Sequence, residues 1–98
     1  MAYDAGSTKL DASGSAQKIR DTEEKLGVIW VRNRPGNKGR MWFGVSDVSS
    51  TNGVTLKPSE AHAPNFEGGS ELSSLFWFCG EVAGEYLDWS VIIRSTGK

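Results

Sequence analysis

The chain has 98 residues, a formal net charge of −1, one cysteine and one histidine. That length points to one domain around a single core, and the near-neutral balance supplies no global field for nucleic acid or an anionic membrane. Cys79 and His62, each the sole member of its type, exclude an internal disulfide framework and a zinc site built from Cys and His.

At the N-terminus, "MAYDAGSTKLDASGSAQ" has neither a basic stretch nor an apolar segment of signal-peptide kind. No apolar run approaches the length of a membrane span, so a soluble protein made in a reducing cytoplasm is expected. Residues 1 to 17 are small and polar with no helical period, and Tyr3 and Leu10 are their natural anchors. The stretch reads as an extended arm that gains order by lying against another surface; a first edge strand is the plainer alternative. "KIRDTEEKLG" offers one short helical turn, with Glu23 and Glu24 near an Asp21 or Thr22 cap. The chain thus divides into an arm and connection, residues 1–26, and a β domain, residues 27–98.

From Gly27 the sequence is written for strands. "GVIWVRN" and "RMWFGVSDV" flank the turn-rich "RPGNKG" and are expected to pair as a hairpin. In the second run Met41, Phe43 and Val45 share one face while Trp42 and Gly44 take the other. Asn52-Gly53 is expected to turn through positive φ, Val54 and Leu56 to point at the core, and Pro58 to stop pairing, leaving Glu60 exposed. "AHAPNFEGG" is a weak edge segment because Pro64 lacks a donor. "ELSSLFWFCG" is apolar on both faces, Leu75, Trp77 and Cys79 against Phe76 and Phe78, and needs cover on both, from two layers or a neighbouring subunit. "YLDWSVIIRS" alternates cleanly, with Leu87, Trp89, Val91 and Ile93 inward. Short strands with turns about every ten residues predict an all-β fold: a small antiparallel β-sandwich, jelly-roll-like, with an extended N-terminal arm.

The residues assemble no catalytic constellation, and no cofactor site is expected. His62 lies in an exposed-looking "EAHAP" without an acidic partner, and Cys79 sits inside an apolar strand as a small hydrophobe. Asp47 reads as a turn cap and Asp88 as a solvent-face residue rather than a carboxylate pair. "FEGGSE" lacks the spacing of a phosphate loop. Arg32, Arg34, Lys38 and Arg40 form the clearest charge feature. Beside Trp30 and Trp42 they could suit single-stranded nucleic acid, but docking on an acidic protein surface is the better reading. Trp77 and Trp89 are read as core before a sugar-stacking platform.

The succession "VIWVRN", "MWFGVSDVSSTNGVTLKPSE" and "LSSLFWFCGEVAGEYLDWSVI", residues 27 to 93, resembles a group of small tailed-phage virion proteins. In that pattern an I-W-V-R-N strand precedes V-x-V-G and an "NGxxLxPGE" turn, then a short apolar strand, "AGxxVxW" and a final strand. Ser59 stands here where the pattern has the Gly of "PGE", and Tyr86-Leu87-Asp88-Trp89 extends the "AGxxVxW" part. The resemblance implies a capsid decoration or cement protein on the outside of a virion. It would bind the major capsid protein, bridge neighbouring capsomers and form symmetric homo-oligomers, most often trimers, with no catalysis, nucleic acid or membrane partner. Tyr3, Leu10, Arg32, Arg34, Lys38 and Arg40 are then the candidate shell contacts, and Phe76, Trp77 and Phe78 the candidate oligomer contacts. The rival reading is a tail or fibre module that recognises a host-surface glycan.

Overall fold

The computed structural model describes residues 2–20, 24–64, 71–72 and 76–96, and every regular element among them is a strand. One antiparallel sheet contains β1 (Ala2–Lys9), β3 (Glu24–Asn33), β6 (Ala61–His62) and β9 (Tyr86–Thr96), in the order β1-β9-β3-β6. The two-residue β7 (Glu71–Leu72) pairs with β3 further along the same edge as β6. The second sheet contains β2 (Gln17–Lys18), β4 (Met41–Gly44), β5 (Val54–Leu56) and β8 (Trp77–Gly80), in the order β2-β8-β4-β5. With β7 set aside, eight strands in these two orders are a jelly roll. The first is called sheet A below and the second sheet B.

The core lies between the sheets and follows the period-2 alternation of the strands. Leu87 and Val91 of β9, Ile29 and Val31 of β3, and Met41, Phe43 and Phe78 of sheet B are all buried in it, with Trp89 and Ile93 packed against them. Phe76 is stacked on Phe43, ring centroids 5.7 Å apart. His62 points inward as well, half-buried with its ring 5.8 Å from Phe43, rather than into solvent.

The N-terminal stretch is extended, and what it lies against is its own domain. β1 pairs with β9 without a register break from Ala2↔Ile93 to Lys9↔Tyr86. Beyond it Leu10 is fully buried in the core, and Gln17-Lys18 joins sheet B beside β8. Residues 2–20 therefore belong to the sandwich, and the plainer edge-strand alternative is the one observed. Side chains lock the strand: the Trp89 indole lies across Gly6, where an added Cβ would come within 2.8 Å of the ring. Its Nε1 donates to Thr8 Oγ1 (3.0 Å), and that hydroxyl donates to the Ile19 carbonyl (2.6 Å). Arg20 sits over the same indole and bridges Asp4 at 3.0 Å.

Three local expectations are corrected. β3 and β4 do not form a hairpin, because the chain changes sheets between them. Buried Asn33 makes that corner: its Nδ2 donates to the Gly39 and Leu56 carbonyls, while Asn37 donates to Asn33 Oδ1 and to the Tyr86 carbonyl. These bonds satisfy groups that a continued ladder would have used. Second, positive φ falls not at Asn52-Gly53 but at Ser59 (φ 78°), the serine that replaces a glycine in the resemblance pattern. Gly53 is needed for space instead, since a Cβ there would lie 2.6 Å from Val48. Third, β4 ends at Gly44 and leaves Val45 exposed, while Val48 folds back. Leu56 is buried as expected, Val54 is not, and Glu60 is exposed. In "KIRDTEEKLG", β3 already begins at Glu24; Asp21, Thr22 and Glu23 lie outside the described residues, as does Leu75.

Candidate interaction surface

The outward side chains of sheet A follow from its registers. Tyr3, Ile92 and Val28 form one row across β1, β9 and β3, and Ala5, Ser90 and Trp30 form the next. Ser7, Asp88 and Arg32 make a third row, continued by Ala61 of β6; Lys9 and Tyr86 lie beyond it. Directly opposed side chains in such rows sit close enough to make one continuous surface. Tyr3 is 71% exposed and Val28 44%, while Ile92 and Trp30 are half-buried. Among the described side chains the face therefore grades from an apolar end to a charged end.

At the charged end Arg32 and Arg34 converge on Asp88, whose side chain is mostly covered, with N–O distances of 2.9 Å each. Arg32 also lies over Trp30 and Arg34 over Tyr86, at 5.5 and 4.6 Å from the ring centroids. Burial by itself would raise the Asp88 pKa, but the hydrogen bonds and charges of the two arginines outweigh it and lower it. The group is a fixed, forked carboxylate–guanidinium cluster with one cation in excess. It offers planar donors, already oriented, to an incoming acceptor.

The four cations that are close in sequence are separated in space. Arg32 on β3 and Arg34 just beyond its end are held at Asp88 of sheet A, whereas Arg40 lies over Trp42 of sheet B and pairs with Glu81 at 3.0 Å. The Arg40 hydrogen bond lowers the Glu81 pKa. Lys38 is exposed in the connecting loop, where Glu85 accepts the backbone amides of Lys38 and Gly39. Alternating exposure could not show this split, because the sheet change at Asn33 intervenes.

Of the other candidates, Tyr3 reaches solvent while Leu10 does not. Phe76 and Phe78 are committed to the protein's own core. Trp77 is half-buried on the outer side of sheet B, where it packs with Ala16 against Trp42, Val48 and Cys79. The second apolar face of "LFWFCG" is thus covered from within the chain, by the segments carrying Ala16 and Val48. Burial pushes the Cys79 thiol up and keeps it an unreactive filler. Trp77 and Trp89 belong to different sheets and form no shared platform.

A cleft of about 680 Å³ opens on sheet B between Arg40, Glu81, Trp42 and the hydroxyl residues Ser13, Ser50 and Thr55. Among the described residues no group of three or more His, Cys, Asp or Glu could hold a metal ion, and no helix is long and apolar enough to cross a membrane. Sequence reasoning missed Val28 and Ile92 as members of the exposed row; the alternation of β9 put Ile92 outward, but only the pairing with β1 and β3 reveals the row.

Comparison with protein-family models, with curated proteins and with solved structures finds no match to this chain.

Proposed function

We propose that the protein is a phage capsid decoration protein that binds the outside of the major capsid protein shell and bridges neighbouring capsomers. The observation that carries this reading is the outward face of sheet A, where the row Tyr3–Ile92–Val28 is followed by Ala5–Ser90–Trp30 and then by the Arg32–Asp88–Arg34 cluster. An apolar patch bordered by oriented charges has the anatomy of a protein-binding surface rather than of a solvated one. Its residues stand on long paired strands, so docking orders little backbone. Repetition of modest contacts around a symmetric shell then multiplies the affinity of each copy, and a protein that binds the assembled shell stabilises it by mass action. The test is particle survival on heating or osmotic shock with and without the protein. Retention of packaged DNA should be higher with it, and should fall back with Tyr3→Ala or Val28→Asp; equal survival overturns the reading.

The sheet B cleft favours a second reading, a glycan-binding module of a tail or fibre. A guanidinium–carboxylate pair and three hydroxyl residues around one cleft, with the buried Trp42 beneath Arg40, match the hydroxyls of a sugar. Quenching of Trp fluorescence by oligosaccharides, lost in Trp42→Phe, would support it, and silence across a glycan array would remove it.

A further inference from the structure

We infer that two copies of this chain associate through β1, pairing antiparallel about a two-fold axis to join their A sheets into one continuous sheet. The reason starts from the four lateral edges of the sandwich. β2 and β5 have two and three residues, and the β3 edge is covered by β6 and β7. Short or covered edges are blunted against further pairing. β1 differs: it runs for eight residues with no proline and no bulge, and β9 occupies one side of it.

The parity of its hydrogen bonds is fixed by three contacts. The Leu10 amide donates to the Glu85 carbonyl, so the even-numbered amides of this strand face β9. The odd-numbered groups face outward, and two of them are met there by side chains: the Ala5 amide donates to Asp4 Oδ1 and the Lys9 carbonyl accepts from Gln17 Nε2. Tyr3, Ser7 and Lys9 amides and the Tyr3, Ala5 and Ser7 carbonyls point to the same side, where no strand among the described residues pairs with them. A carbonyl has two lone pairs, so Lys9 can keep its Gln17 bond on pairing. Asp4 retains Arg20 as partner when it releases the Ala5 amide.

A second copy fits this edge better than an arbitrary strand because the sequence is complementary to itself about Gly6. In that register Ala5 and Ser7 of one copy exchange both backbone hydrogen bonds with Ser7 and Ala5 of the other. Tyr3 and Lys9 do the same, which also sets an ammonium beside a phenol ring. Asp4 falls opposite Thr8 and Gly6 opposite Gly6, so no like charges meet and nothing bulky collides at the axis. Shifting the axis to Ala5 or Ser7 shortens the paired segment and leaves Lys9 or Tyr3 without its complement. The apolar row ending at Tyr3 then continues from one copy toward the next. The contact is isologous and builds dimers, not the trimer that the resemblance implies.

Sedimentation velocity of the full chain across a wide concentration range is the test, together with backbone hydrogen exchange. The expected result is a monomer–dimer equilibrium in which the Ser7 and Lys9 amides exchange slowly at high concentration and quickly on dilution. Ser7→Pro removes an outward amide and no β1–β9 bond, so it should leave the dilute-solution melting midpoint near wild type while weakening association at least about tenfold. A monomer at every concentration, a trimer, or a dimer whose Ser7 amide stays open each overturns the inference. Shell binding retained by monomeric Ser7→Pro would leave the proposed function standing on its own.

Discussion

Sheets A and B bury the same core from opposite sides but are finished differently on their outer faces. Sheet A is carried by strands of eight, ten and eleven residues, which pair in long ladders. Sheet B has strands of two to four residues. It is completed by a second apolar cluster, Trp42, Val48 and Cys79 with Ala16 and Trp77, which its own loops fold over. A sheet too short to be stable on its ladder alone needs packing on both faces. A sheet with long ladders can leave one face open for another molecule. The difference makes sheet B's outer cluster part of what stabilises the fold, and leaves sheet A's outer face as the surface on which the proposed binding rests.

Substitutions on the two sides separate those roles. Phe78→Ala, which empties the centre of the shared core, should cost about 4 kcal/mol in denaturant unfolding and can abolish folding in so small a domain. Asn33→Ala should cost about 3 kcal/mol, because the buried carbonyls of Gly39 and Leu56 lose their donor where the chain changes sheets. The sharper comparison is a matched pair. Val48→Ala, on the outside of sheet B, should cost about 2 kcal/mol, and Val28→Ala, on the outside of sheet A, less than about 0.5 kcal/mol. Equal costs for the two valines would break the contrast between the faces.

How far the sequence discloses this depends on whether a feature is local. The inward set of β9 and the two-sided apolar run at 76–79 are visible because alternation is a property of consecutive residues. Phe76 and Phe78 were legible as one face, but their assignment to an oligomer contact required knowing what lay above them, and sheet B's own partner sheet does. The arm was misleading because its small residues look unfit for a core. Gly6 is small so that Trp89, 83 positions away in the chain, can cross it, and that need is written nowhere nearby. The Arg cluster failed for a similar reason: Asn33 reads as an ordinary turn residue, yet it sends Arg40 to the other sheet.

The charged end of sheet A has a pH signature that distinguishes it from the apolar end. The folded-state pKa of Asp88 is lowered, so its contribution is present above the unfolded carboxylate range of about 4 and is lost as pH falls through the folded value. Chemical denaturation at a series of acidic pH values should show stability falling on acidification, with a shallower fall in Asp88→Asn. Val28→Ala should leave the slope unchanged. A wild-type slope in Asp88→Asn would mean that Arg32 and Arg34 are held by packing on Trp30 and Tyr86 rather than by the carboxylate.

The smallest effect has the opposite sign. Ser59 holds φ at 78° in the turn between β5 and β6, where its amide donates to the Asn33 carbonyl and Glu60 donates to Lys57. A side chain in the left-handed region costs roughly 1–2 kcal/mol that glycine avoids, offset in part by glycine's larger freedom in the unfolded chain. Ser59→Gly should therefore raise stability by about 0.5–1 kcal/mol, seen as a higher melting midpoint with unchanged unfolding slope in denaturant. The turn ties the end of β3 to the strand that closes sheet A, and its strain is borne by sheet A rather than by the packed exterior of sheet B. Stabilisation should then persist in a Val48→Ala background, the two effects adding because the sites share no partner. A gain that vanishes in that background would show that the sheets are coupled through the Asn33 corner more tightly than their separate finishing suggests.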